Sequence, residues 1–251
     1  MIDLATKGPV AILKMTHGKA NAMDVALCEE IIKRLDEVRA SPARAVVLTG
    51  QGNIFSAGVD LVRALDGGPD YFRRFLPPLR RMFEAVFFYD KPVVAAVNGH
   101  AMAGGCVLAC AADRALMAQG SGRIGITEML VGVPFPVIAL EIMRFAAAPG
   151  RFEEMVFTGA TFAPDAAVGL GLVDEVVSAD ALMDRAVAAA ETLAALDPDT
   201  FALTKRQIRQ PAKDRLVKDG PTFDPAVDAV WYAADTAARI RDYVSRTFKK
   251  M

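Results

Sequence analysis

Two glycine turns and one carboxylate carry the chemistry legible in this chain. The turns are FSAGVD (55–60) and MAGGCV (102–107), and each follows an apolar, β-branched run, AVVLTG or PVVAAVNG. A turn that leaves backbone N–H groups unpaired at a helix start offers donors to an anionic oxygen, and the helix dipole favours negative charge there. Glycine permits both the turn and the close approach of a ligand. Two such turns aimed at one oxygen would stabilise an enolate or a tetrahedral oxyanion, and losing one such donor typically costs ~3 kcal/mol. The alternative is packing: AGG allows a helix to sit close to its neighbour, and SAG simply reverses the chain. Glu128, in IGITE (124–128), is the acid that follows. It reads either as a proton-transfer group or as a helix-initiating acid stabilised by the dipole.

The elements around these turns define an α/β chain. VAILKM (10–15) is a strand, Asp24 caps a helix, and Leu27, Ile31, Leu35 and Val38 recur as one apolar stripe of helical period. ARAVVLTG and PVVAAV are buried strands, and RALMA and LVDEVV are further short ones. Strands interleaved with helical patterns imply mostly parallel pairing. The long pattern DYFRRFLPPLRRMFEAVFFYD is expected to kink or divide at Pro77-Pro78. From Asp197-Pro198 onward no β-branched runs remain. Two helical patterns, FALTKRQIR and DPAVDAVWYAADTAARIRDYVSRTF, are expected on either side of a polar, Pro-bearing linker. The organisation expected is a core over 1–196 and a helical C-terminal region over 197–251, which is too small to stand alone.

Composition narrows the function. With Lys+Arg 29 against Asp+Glu 30, the net charge of −1 supplies no field for nucleic acid or anionic lipid. Cys28, Cys106 and Cys110 fit neither a disulfide framework nor a zinc site and read as buried thiols. Residues 92–112 are long and apolar enough to suggest a membrane span, but Asn98-Gly99-His100 and Gly104-Gly105 would interrupt the helix that lipid requires. The N-terminus lacks the layout of a secretory signal, so the expected address is the cytosol, or an organelle after processing.

The segments THGKANAMD (16–24), VVLTGQGNIFSAGVDL (46–61), KPVVAAVNGHAMAGGCVLACAAD (91–113), IGITEMLVGVP (124–134) and AAVGLGLVDEVV (166–177) together resemble the crotonase, or enoyl-CoA hydratase/isomerase, superfamily. The resemblance implies a spiral of ββα turns, a C-terminal helical region that mediates trimers or dimers of trimers, and an acyl-CoA thioester as ligand. It implies oxyanion donors at the Val59 and Gly104 amides, with Gly58 and Gly105 in the same turns. CoA would run past Lys19, Ala20 and Ala22, then Ala57, Asp60 and Leu61. Lys19 reads equally as a solvated turn lysine. No metal or redox cofactor is implied, since CoA enters as part of the substrate.

In hydratases of this pattern one acid follows the Cys of the GGC turn and a second falls in the IGITE segment. Here the first position is Val107 and the second is Glu128. Valine neither accepts nor donates a proton, so the resemblance points to single-glutamate Δ3,Δ2-enoyl-CoA isomerases, with Val107 as an apolar wall. Glu141 or Asp66 could supply a second acid and restore hydration. A nicotinamide enzyme is the other catalytic class considered, but Phe55 stands where its third glycine belongs. The basic run 204–218 keeps an RNA-binding reading open, as does a catalytically silent CoA-binding homologue. His17 and His100 are expected to be hydrogen-bonded structural residues. Trp231 and Tyr232 are expected at a subunit contact or in the core.

Overall fold

The computed structural model describes residues 1–248. Strands β1 (Ile2–Lys7) and β2 (Val10–Met15) form an antiparallel hairpin. Helix α1 (Val25–Arg39) starts at Asp24, whose Oδ1 accepts from the Leu27 amide at 2.8 Å, and its apolar stripe is buried as helical spacing requires. Three units of long strand, short strand and helix follow. They are β3 (Ala45–Thr49), β4 (Ile54–Ser56) and α2 (Leu61–Phe87); then β5 (Val93–Val97), β6 (His100–Met102) and α3 (Gly104–Cys110); then β7 (Arg114–Ala118), β8 (Ile124–Gly125) and the single turn α4 (Glu128–Val131). The chain continues through α5 (Val137–Ala146), α6 (Phe152–Thr158), β9 (Thr161–Phe162), α7 (Pro164–Gly169), β10 (Glu175–Val177), α8 (Leu182–Ala194), α9 (Pro198–Tyr232) and α10 (Ala234–Phe248).

The long strands assemble in the order β1-β2-β3-β5-β7-β10, parallel beyond the first hairpin. The short ones form a second sheet, β4-β6-β8-β9. The first sheet is buried on both faces. Leu13, Val46, Leu48, Val93, Ala95 and Met117 pack in the main core with α1, α2 and α3. Val10, Val47, Val94 and Leu116 pack on the α8 residues Leu182, Ala186 and Ala190. That double burial is why β3 and β5 read as continuous apolar runs rather than alternating ones. Among the described residues no helix is long and apolar enough to cross a membrane, and residues 92–112 are divided among β5, β6 and α3.

Two expectations need correction. Helix α2 continues through Pro77-Pro78; its break lies at Gly68, with φ 59 and ψ −159. The two prolines remove donors from the carbonyls of Arg73 and Arg74, and these exposed residues can give those carbonyls to water. The expected linker after FALTKRQIR is also helical, within the 35-residue α9, and the break comes at Ala233. Pro211, Pro221 and Pro225 all lie on its exposed side, while its inner side is tied down by tertiary contacts. Arg215 Nε sits 2.5 Å from Glu141 Oε2, Asp224 Oδ1 accepts from the Val137 amide at 3.0 Å, and Arg80 pairs with Asp228. Strand β1 carries no apolar pattern of its own, because it is an edge strand with one buried residue, Ile2, and five exposed ones.

The basic run 204–218 is largely neutralised within the fold. Lys205 and Arg209 are buried and bind Asp113 at 2.7 and 2.9 Å, and Lys213 lies 3.3 Å from Glu84. Together with the Arg215–Glu141 pair, these contacts turn the cations into fasteners between α9 and the strand-bearing core. All three cysteines are buried and free.

Candidate active site

Strands β4, β6 and β8 lie side by side and parallel, with Ser56 opposite Ala101 and Met102 opposite Gly125. Their C-terminal ends therefore open in one direction. Ala57-Gly58-Val59 leave β4, Ala103-Gly104 leave β6, and Ile126-Thr127-Glu128 leave β8. One sheet thus delivers both glycine turns and the carboxylate to a single cavity of about 500 Å³.

Backbone pairing decides which amides are free. The Met23 amide donates to Gly58 O at 2.7 Å and Met23 O accepts from the Asp60 amide at 2.9 Å. This parallel bridge uses the residues on either side of Val59, so the Val59 N–H faces away from it. Gly104 is the first residue of α3 and has no carbonyl four residues back within the helix. Among the described residues, neither the Val59 nor the Gly104 amide donates to a protein acceptor. The turn before Gly104 is held by Ala103, at φ 51 and ψ −123, a conformation that disfavours any residue with a Cβ. The Ala103 amide donates to Gly125 O at 2.8 Å, and its carbonyl accepts from the Cys106 and Val107 amides. Nothing in the alanine itself signals this geometry.

Glu128 opens α4. Its Oε2 is buried and, among the described residues, accepts no hydrogen bond, although the residue as a whole is only half-buried. Loss of solvation pushes its carboxyl up to about 7, and the Glu128 and Thr127 amides offset part of that effect. A carboxyl poised there exchanges protons readily near neutrality.

Ala20, Ala22, Ala57, Val59, Asp60, Leu61 and Glu128 all line the cavity. Gly58, Gly104 and Gly105 lie in the bounding turns, packed so closely that a Cβ on Gly105 would come within 2.3 Å of Ser56 O. Lys19 is exposed in the turn before Ala20 and is outside the cavity lining. Val107 is buried in the main core. Glu141 is buried in its ion pairs with Arg215 and Arg144, Asp66 is exposed, and neither lines the cavity. Among the described residues, Asp60 is the other carboxylate on the wall, and its Oδ1 caps α2 through the Arg63 amide at 2.9 Å.

Further wall residues come from the C-terminal helices and from β6. Trp231, Tyr243 and Thr247 close the cavity from α9 and α10, with the Trp231 indole donating to Pro134 O at 2.9 Å. Trp231 is buried within its own chain, so the intrachain reading describes it. His17 is within 3.0 Å of Asp24 Oδ2, as a structural histidine would be. His100 accepts from the Arg123 amide at 3.3 Å and also faces the cavity. The Trp231 and His100 contacts join segments distant in sequence, and local pattern carries no sign of them. Among the described residues, no cluster of three or more His, Cys, Asp or Glu side chains could hold a metal.

With this geometry the chain belongs to the enoyl-CoA hydratase/isomerase family, which it matches over residues 5–223. Its fold is the crotonase spiral. A putative enoyl-CoA hydratase of Thermus thermophilus is 35% identical over 204 residues, covering 79% of this chain and 80% of the relative. Mouse mitochondrial enoyl-CoA delta isomerase 1 is 28% identical over 218 residues, covering 85% and 75%. The crystal structure of human mitochondrial Δ3-Δ2-enoyl-CoA isomerase has the same fold at a TM-score of 0.92 and 22% identity, covering 99% of this chain and 98% of that one. A probable enoyl-CoA hydratase of Mycobacterium tuberculosis reaches a TM-score of 0.84 at 27% identity, covering 92% and 98%. The protein is thus an enzyme of a family that acts on acyl-CoA thioesters, and its relatives carry both hydratase and isomerase names.

Proposed function

We propose that this enzyme moves the double bond of a 3-enoyl-CoA to the 2-position. The thioester oxygen accepts hydrogen bonds from the Val59 and Gly104 amides. Glu128 takes a proton from C2, the electron pair delocalises into a dienolate held by those amides, and the same carboxyl returns the proton at C4. The proton that leaves C2 is carried on Glu128 and returned at C4, so atoms and charge balance without a further co-reactant. The observation that carries this reading is the buried, unpartnered Glu128 Oε2 at the end of β8. Its raised proton affinity suits both the removal and the return of a proton.

A hydratase reading draws on Asp60, the second carboxylate on the wall. Hydration needs a water positioned between an acid and a base, and Asp60 already spends one oxygen on capping α2. The test is a paired assay of the native protein on 3-enoyl-CoA and 2-enoyl-CoA. Isomerisation should exceed hydration, and dominant hydration would overturn the single-acid reading. Assembly into a trimer, or a dimer of trimers, belongs to the same proposal and is measured by light scattering.

A further inference from the structure

We infer that His100 and Arg123 form a recess that binds an anionic oxygen group carried by the substrate, at the end of the cavity away from the oxyanion amides. This rests on the acyl-CoA reading of the cavity, but not on the proton transfer assigned to Glu128.

The recess is built by pairing register. Ala101 lies opposite Ile124, which sets His100 beside Arg123 at the N-terminal ends of β6 and β8. Side chains alternate along a strand, so His100 and Met102 face the cavity while Ala101 enters the core. The Arg123 amide donates to His100 Nδ1, which in the neutral ring places the proton on Nε2 and leaves that N–H as a donor. The Arg123 guanidinium is held by Thr161, with Nε donating to Oγ1 at 2.8 Å and Nη2 to the main-chain oxygen. Both anchors are neutral.

Charge separates this arginine from Arg63, Arg80 and Arg239. Arg63 pairs with Asp24, Arg80 with Asp228 and Arg239 with Asp235. Among the described residues, no carboxylate pairs with Arg123. The acids on the cavity wall, Asp60 and Glu128, stand beyond the opposite, C-terminal ends of the parallel strands β4 and β8. Three residues of strand separate His100 from Ala103, about 10 Å at the usual rise. A ligand with its carbonyl on the amides and a negative group about 10 Å away would answer both ends. A CoA phosphate or a carboxylate terminating the acyl chain meets that chemistry, and guanidinium with imidazole N–H would bind either by charge-assisted hydrogen bonds.

The experiment is calorimetric binding of unreactive saturated ligands to the native protein, Arg123→Gln and His100→Ala. The probes are octanoyl-CoA, octanoyl-3′-dephospho-CoA, octanoyl-pantetheine and the CoA monothioester of octanedioic acid. Each substitution should weaken the ligand bearing the bound anion about tenfold, as expected for one charge-assisted hydrogen bond. A loss shared by both CoA thioesters but not by octanoyl-pantetheine assigns a CoA phosphate, and dephospho-CoA then tells which one. A loss confined to the octanedioic thioester assigns a terminal carboxylate. Unchanged affinity for every probe, or an equal loss that includes octanoyl-pantetheine, overturns the inference. If removing the Thr161 anchors unfolds Arg123→Gln, His100→Ala decides alone. Because no probe reacts, failure of the isomerase assignment would leave these results standing.

Discussion

Gly58 and Gly104 stand in contact: a Cβ built on Gly58 would come within 2.7 Å of the Met102 carbonyl oxygen and 3.1 Å of the Gly104 nitrogen. Gly58 also has φ 79, a left-handed conformation. The two turns can converge only while position 58 lacks a side chain. Gly58→Ala should therefore part the Val59 and Gly104 amides and lower kcat about 100-fold, the scale of losing one oxyanion donor. Steady-state kinetics on 3-enoyl-CoA, with a thermal melt to confirm folding, would check it. Unchanged kcat would remove the paired amides from the mechanism.

Ala103 offers the converse test. Its backbone, at φ 51 and ψ −123, costs about 1–3 kcal/mol for a residue with a Cβ. Ala103→Gly relieves that strain at an entropic cost of about 0.4–1 kcal/mol in the unfolded chain. The net expectation is a melting temperature higher by about 2 °C, read by calorimetry. A lower value would show that the alanine methyl contributes more through packing than its backbone costs.

Glu128 links activity and stability through pH. The group must be ionised to accept the C2 proton, so kcat/KM should climb as pH rises and level off above about 7. Its folded proton affinity lies above the ordinary value of 4.5, so stability linked to the neutral carboxyl is present at low pH and is lost as pH rises through about 7. Glutamine carries no charge at either extreme. The melting temperature of Glu128→Gln should accordingly match the native protein near pH 4 and exceed it near pH 8, and a gap that does not widen would contradict the burial of this carboxyl.

Asp113 holds the C-terminal helices to the core. It accepts from the Val93 amide at 2.8 Å, Lys205 Nζ at 2.7 Å and Arg209 Nη2 at 2.9 Å. Lys205 and Arg209 are buried, and desolvation draws the lysine amine down to about 8 even beside this carboxylate. Asp113→Asn would leave two buried cations without a counter-charge and should destabilise the fold by about 3–5 kcal/mol in urea unfolding. A loss under about 1 kcal/mol would mean that water reaches the pair.

The amphipathic α1, the doubly buried β3 and β5, both glycine turns and Glu128 were legible because each is written in local pattern: a period, an apolar run, a turn residue. The short strands β4, β6 and β8 were not, since two or three residues beside glycines become strands only through their neighbours' pairing. Helix α9 crosses three prolines because its inner face is fastened by Lys205, Arg209 and Arg215, which outweighs local propensity. His100, Arg123, Trp231 and Tyr243 reached the cavity wall through tertiary contacts for which no local signal exists.

The most direct measurement is kcat for 3-enoyl-CoA isomerisation by Glu128→Gln, a change that keeps the side chain's size and removes its ability to take a proton. A lone carboxyl that both accepts and returns the proton leaves no substitute, so kcat should fall by about 10²–10⁴-fold while the affinity for octanoyl-CoA stays within about threefold. Turnover at the native rate would contradict the account, because another group would then have to carry the proton.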